Sequence, residues 1–91
     1  MAMEQRIVVF HGNVQGVGFR YTACRTAGGY DVTGSVRNMP DGSVECVVEG
    51  EAAQVEAFIA DLAGKMRRYI TRQTQSKGPY SGQFSSFGLE F

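Results

Sequence analysis

The sequence predicts an α+β fold with two helices on one face of a mostly antiparallel sheet, and three segments carry that expectation. Ile7-Val8-Val9-Phe10 is an apolar run bounded by Gly12, the mark of a buried strand. Val44, Cys46 and Val48 alternate with Glu45 and Glu49 just after Pro40-Asp41-Gly42, which reads as a strand entered from a tight turn. Val55, Phe58, Ile59, Leu62 and Met66 recur at steps of three and four, the spacing of one helix face.

The remaining elements follow in order. The Ile7–Phe10 run is expected to be covered on both faces or nearly so, and to sit centrally in the sheet. From about Phe19 to Tyr30, Phe19, Ala23 and Ala27 repeat every four residues beside Cys24, giving a short helix whose last turn Gly28 and Gly29 weaken. Val32 to Met39 and Ser43 to Gly50 form a hairpin about the Pro-Asp-Gly turn. The second helix has acids toward its start and Lys65, Arg67 and Arg68 around its end, as the helix dipole favours. A fourth strand is expected around Tyr69 to Gln75, then a Ser/Gly/Pro loop from Ser76 to Gly82, then a terminal strand in which Phe87, Leu89 and Phe91 alternate. Strand, helix, strand, strand, helix, strand is the split βαβ, or ferredoxin-like, sandwich, here with a short extra C-terminal strand. One sheet face should remain open to water.

At 91 residues the chain, residues 1–91, reads as a single domain with one modest core. Nine basic and nine acidic residues cancel, so no global field recruits nucleic acid or an anionic membrane. No apolar stretch is long enough to span a bilayer, and Met1-Ala2-Met3-Glu4-Gln5-Arg6 does not have the form of a signal peptide. The expected location is the cytoplasm, and the expected state a monomer. Cys24 and Cys46 have no CxxC spacing and His11 is the single histidine, so no metal site is expected. Reduced thiols are the favoured reading, with a bridge left open.

The most informative stretch is Gly12-Asn13-Val14-Gln15-Gly16-Val17-Gly18-Phe19-Arg20. Gly16 and Gly18 can take positive φ and have no side chain to block approach, so successive N–H groups can point into one concavity. A helix opening just beyond adds unpaired N–H groups and a positive dipole end. Arg20 supplies a planar fork of donors. Gln15, Gly16, Val17, Gly18, Phe19 and Arg20 together form a candidate seat for a phosphate. The second segment is Gly34-Ser35-Val36-Arg37-Asn38. Alone, Asn38 reads as a turn residue that bonds its own backbone or tolerates a left-handed conformation. If the second strand returns beside the first, its amide, both donor and acceptor, can instead hold a water against the anion loop.

These two segments resemble the signatures of the acylphosphatase family, the second continuing into Asp41-Gly42-Ser43-Val44-Glu45. The eighteen-residue step from Arg20 to Asn38 is similar too, and the resemblance extends through Phe87-Gly88-Leu89. It implies hydrolysis of an acyl phosphate, a small-molecule substrate, to a carboxylate and inorganic phosphate, with no cofactor and no metal. The arginine matching Arg20 would bind the phosphoryl group with the loop amides, and the asparagine matching Asn38 would position the attacking water. Three places differ from the family pattern. Asn13 stands where a basic residue is commoner, Asp31 where glycine would end the first helix in a left-handed turn, and Lys65-Met66-Arg67-Arg68-Tyr69 lacks Gly-Pro character.

Such a sparse site is chemically sufficient. The departing carboxylate has a conjugate acid of pKa roughly 4 to 5, so it needs no proton at neutral pH. Placing the water in line and stabilising the equatorial oxygens supplies the rest. Neither motif contains an obvious base, so the proton of the water is expected to pass to a phosphate oxygen.

Other glycine-loop chemistries fit poorly. The third glycine of a dinucleotide site and the Gly-Lys-Ser/Thr of a Walker loop are both missing. The rival from another class is a binding module on the same fold, for RNA or as the carbamoyl-phosphate-handling part of a larger maturation protein. Gly18-Phe19-Arg20-Tyr21 faintly echoes an RNA-binding aromatic segment, but it falls in a loop, and the third strand has no aromatic platform. The lack of another recognisable domain favours a free-standing hydrolase over a carbamoyl-transferring part. His11 reads as a strand-end residue, Arg67, Arg68 and Arg72 as a solvated edge that discourages strand pairing, and Phe58, Phe87 and Phe91 as core or near-core.

Overall fold

The computed structural model describes residues 2–91. Its elements are β1 (Met3–Gly12), α1 (Phe19–Ala27), β2 (Val32–Asn38), β3 (Val44–Glu51), α2 (Ala52–Lys65), β4 (Ile70–Gly78) and β5 (Phe87–Glu90). The strands form one sheet in the order β4-β1-β3-β2-β5. All neighbours are antiparallel except β2 and β5, which run parallel. This is the expected ferredoxin-like sandwich, with β5 added at the β2 edge. No helix among the described residues is long and apolar enough to cross a membrane.

The core forms where the alternating faces meet the helices. Val8 and Phe10 of β1, Val44, Cys46 and Val48 of β3, and Val36 of β2 are buried on one face. Against them pack Phe19, Ala23 and Ala27 of α1 and Val55, Phe58, Ile59 and Leu62 of α2. Each large side chain here contributes roughly 1.5–3 kcal/mol by leaving water. The small face of α1 lets it lie close to the sheet. At Gly34 in β2, where φ is +148°, a Cβ would stand 1.8 Å from the Val47 carbonyl oxygen, so only glycine permits this strand approach.

β1 is an interior strand as expected, paired with β3 on one side and β4 on the other, with β3 at the middle of the five. Its cover is complete on the helix side and partial on the other, where Ile7 and Val9 are half-buried. Several expectations are corrected. α1 stops at Ala27 because Gly28 and Gly29 turn back onto the carbonyls of Arg25 and Thr26, at 3.2 and 3.0 Å. Asp31 therefore has no left-handed turn to make, and its φ is not positive. Its N–H instead donates to Gln54 Oε1 at 2.9 Å, tying the start of β2 to α2. The second helix has no acid in its first turn; Glu51 is its N-cap and Glu56 pairs with the buried Arg6 at 2.8 Å. β4 extends to Gly78, so the loop runs over residues 79–86. Phe91 is fully exposed rather than core, while Phe87 lies against Phe58 at 5.2 Å between ring centres.

The largest surprise is Glu49, which has no exposed surface. It sits on the sheet face away from the helices, and the 79–86 loop folds over it. Its carboxylate accepts from Ser81 N–H and Oγ–H at 2.9 and 2.7 Å, Gly82 N–H at 3.0 Å and Gln5 Nε2 at 2.9 Å. Both cysteines are free thiols, Cys46 buried and Cys24 half-buried. Burial pushes the pKa of both upward, so neither is a thiolate at neutral pH.

Candidate active site

The loop between β1 and α1 is anchored at Asn13, Val14, Gln15, Val17 and Phe19. The Asn13 N–H donates to the Tyr69 carbonyl at 2.9 Å. Val14 is fully buried, Val17 rests partly on the core, and Phe19 packs on Phe10 at 5.0 Å between ring centres. Gln15 extends its carboxamide away from the hollow, and Nε2 donates to the carbonyls of Met39 and Ser43, both at 2.8 Å. This clamps the loop to the turn that follows Asn38. Asp41 stiffens the same turn by accepting from Ser43 N–H and Oγ–H at 2.9 and 2.6 Å, bonds that hold its carboxyl below the usual carboxylate pKa.

Between these anchors Gly16 and Gly18 both take φ of +77°, a left-handed conformation that side chains disfavour. Gly18 is also the N-cap of α1, with no side chain bonding the first turn. Among the described residues, no backbone carbonyl accepts from the N–H groups of Gln15, Gly16, Val17 or Gly18. With the unpaired N–H groups that open any helix, these donors are left without a partner next to the positive dipole end of α1.

Arg20 stands in the first turn of α1. Its Nη1 donates to the Glu90 carbonyl at 3.0 Å, and its guanidinium lies 5.4 Å over the Phe91 ring. β5 thus fixes the guanidinium while leaving other N–H donors of its fork open. Asn38 ends β2 on the helix-bearing face. It does not lie beside β1, because β3 intervenes, but the pairing is in step: Asn38 opposes Val44, which opposes Phe10. That common row brings Asn38 to the end of the sheet from which the anion loop departs.

Gly16, Gly18, Phe19, Arg20 and Asn38 line one cavity of about 160 Å³, smaller than the roughly 300–1,000 Å³ usual for cofactors and drug-sized ligands. Gln15 and Val17 do not line it; the one braces the turn and the other the core. Tyr21 and Leu89 complete the rim and were not expected there, nor was the hold of β5 on Arg20. The alternation of Phe87, Leu89 and Phe91 marks a strand but not its neighbour, and a carbonyl partner has no sequence signature. His11 lies at the end of β1 opposite Arg72, outside the lining. Among the described residues no three His, Cys, Asp or Glu side chains converge as a metal ion requires.

The sequence model of the acylphosphatase family matches residues 6–89. An acylphosphatase of Methylococcus capsulatus is 48% identical over 88 residues, covering 96% of each chain. One from Bordetella parapertussis is 54% identical over 57 residues, 63% of this chain, and the match spans 61% of that relative's length. The crystal structure of acylphosphatase from Bacillus subtilis superposes with a TM-score of 0.83 at 26% identity, covering 99% of this chain and all of the other. With its family model matched over nearly the whole length and the two motifs meeting in one hollow, the chain belongs to the acylphosphatase family.

Proposed function

We propose that this protein hydrolyses acyl phosphates to a carboxylate and inorganic phosphate by in-line attack of a water held by Asn38. The observation that carries the reading is the single cavity shared by Arg20, Asn38 and the two left-handed glycines. In this reading the phosphoryl oxygens rest on the N–H groups of Gly16, Gly18, Phe19 and Arg20, the loop residues that line the cavity, and on the free edge of the Arg20 guanidinium, where negative charge is stabilised as the bond to the leaving group lengthens. The Asn38 carboxamide makes no side-chain hydrogen bond among the described residues, so it is free to orient a water. The carboxylate departs unprotonated, and the water's proton passes to a phosphoryl oxygen. The proposed state is a monomer, since one chain lines the whole cavity.

A binding module for nucleic acid is the weaker reading. On the face of β3 away from the helices stand Glu45, Val47 and Glu49, the last covered by the 79–86 loop, so no row of aromatic rings is open there as a stacking platform requires. Turnover of acetyl phosphate by wild type, Arg20→Ala and Asn38→Ala tests the proposal, with circular dichroism to establish folding. Each substitution is expected to cost about 100-fold or more in kcat/KM. Full turnover by both folded variants would end the assignment.

A further inference from the structure

The charges of the chain cancel in sum but not in place. Glu51 and Glu49 pair with Met3 and Gln5 at the start of β1, beside Glu4, whereas the anion loop leaves β1 at its other end, after Gly12. The strand from Gln5 to Gly12 spans roughly 23 Å at the usual rise per residue, well beyond the roughly 8 Å over which physiological salt screens a charge. Those acids are therefore hidden from the loop. At the loop end Arg37 and Glu45 neutralise each other, and Asp41 and Glu90 stand against Arg20, Arg67, Arg68 and Arg72. The balance there is positive. Arg67 and Arg68 lie in the turn between α2 and β4, both exposed, and among the described residues neither pairs with a carboxylate. The same turn touches the anion loop. The Tyr69 and Ile70 N–H groups donate to the carbonyls of Met66 and Arg67 at 2.9 and 3.3 Å, and the Tyr69 carbonyl accepts from Asn13 N–H at 2.9 Å. A Cβ on Gly12 would run into that carbonyl, so turn and loop are pressed together. Asn13 itself carries no charge.

We propose that Arg67 and Arg68 recruit the phosphoryl dianion to the seat, attracting phosphate-bearing ligands from outside the cavity. The inference rests on the phosphate seat of the hydrolase reading. Neither arginine lines the cavity, so both act through the field that they create in front of the loop and not by contact. Seen from outside, the substrate and the transition state carry the same total charge. The attraction therefore favours both equally, which lowers KM and leaves kcat alone. It also depends on salt, since the screening length falls from about 30 Å at 0.01 M ionic strength to about 3 Å at 1 M. Arg20 differs on both counts, because it touches the reacting group.

The test measures acetyl phosphate turnover and inorganic phosphate binding in wild type and in the double variant Arg67→Gln, Arg68→Gln, at about 0.01 M and about 1 M ionic strength. At low salt the double variant is expected to show KM and the phosphate dissociation constant raised roughly fivefold, with kcat unchanged. At high salt the two proteins should agree within about twofold. Lys77→Gln removes a cation near the far end of β4, opposite Arg6, and should leave all three constants as in wild type. Adding Asn13→Lys to the double variant puts a cation back on the loop, and should restore most of the low-salt affinity. A double variant equal to wild type at low salt would overturn the proposal, and so would a loss that persists at high salt or that Lys77→Gln reproduces. A wild-type protein that binds phosphate but is inert toward acetyl phosphate would end the hydrolase reading, while the phosphate titrations would still decide the role of the two arginines.

Discussion

Arg20 and Glu90, far apart in sequence, are joined by a hydrogen bond from the Arg20 guanidinium to the Glu90 main-chain carbonyl at 3.0 Å. Among the described residues the donor is the only charged group lining the cavity, and the acceptor belongs to the short β5 strand at the edge of the sheet. A guanidinium on a flexible stem loses rotamer entropy when it grips an anion, about 2 kcal/mol for full immobilisation. Holding it in advance by a carbonyl on one side and the Phe91 ring on another lowers that cost.

Deleting residues 90–91 is therefore expected to lower kcat/KM for acetyl phosphate by about tenfold, chiefly through weaker inorganic phosphate and substrate binding. Thermal stability should fall by no more than about 1 kcal/mol, because Glu90 and Phe91 are both exposed. Product inhibition by phosphate, measured beside thermal melting, separates the two effects. Unchanged phosphate affinity in the truncated protein would show that β5 does not set the guanidinium.

Gln15 is expected to matter through its side chain, as a brace between the two motifs. Its Nε2 bonds to Met39 and Ser43 fix the loop to the turn just beyond Asn38. Gln15→Ala removes two hydrogen bonds but leaves each carbonyl a main-chain donor, Gly42 N–H on Met39 and Met39 N–H on Ser43, and should cost about 1–2 kcal/mol of stability. Gln15→Glu should be worse at pH 7, since a carboxylate presents only acceptors to two carbonyl oxygens. Urea unfolding of both variants checks the order; a glutamate variant more stable than the alanine one would refute the brace.

What could be read from the residues was decided by whether a pattern names its own partner. Val44, Cys46 and Val48 declare a buried face by alternation, and Phe58 and Leu62 a helix stripe by spacing, because one side of each element meets the core. Gly16, Gly18, Arg20 and Asn38 were legible because each has a chemical property suited to an anion or a water. Glu49 was not, since alternation with valines makes an acid look solvent-facing, and the loop that covers it is an aperiodic Ser/Gly/Pro stretch. Phe91 was misread for the converse reason: alternation assigns a side of the strand, but nothing packs over that position. The second strand's distance from the first was also hidden, because strand order is a property of the sheet and not of any local pattern.

The glycines of the chain should divide into two kinds on substitution. Gly16 and Gly18 have open space where a Cβ would go, so alanine there meets only the strain of positive φ, about 1–2 kcal/mol. Relief of that strain would turn the loop N–H groups, and the expected result is a folded protein with activity down at least about tenfold. At Gly34 the Cβ collides with the Val47 carbonyl at 1.8 Å, and Gly34→Ala should fail to fold stably. Expression yield and circular dichroism of the three variants test the contrast; a stable, fully active Gly18→Ala would contradict it.

Glu49 links acid stability to the site through the chain it fastens. Burial alone would raise its pKa, but hydrogen bonds from Ser81, Gln5 and Gly82 outweigh that and hold the carboxyl below its usual value. A carboxyl depressed on folding contributes stability above its unfolded pKa of about 4.3, and this is lost as pH falls through the folded value. Glu49→Gln should therefore destabilise the protein at pH 7, by about 1–3 kcal/mol for bonds to a charged acceptor. The gap from wild type should close as pH drops below about 4. The loop that Glu49 fastens leads directly into β5, where the Ser86 carbonyl accepts from Gly34 N–H at 3.0 Å, and β5 bears the Glu90 carbonyl that holds Arg20. Freeing the loop should accordingly weaken phosphate binding in the glutamine variant even where the protein remains folded. Unfolding curves from pH 7 to 3 that stay parallel for the two proteins would show that the carboxylate does not carry this stability.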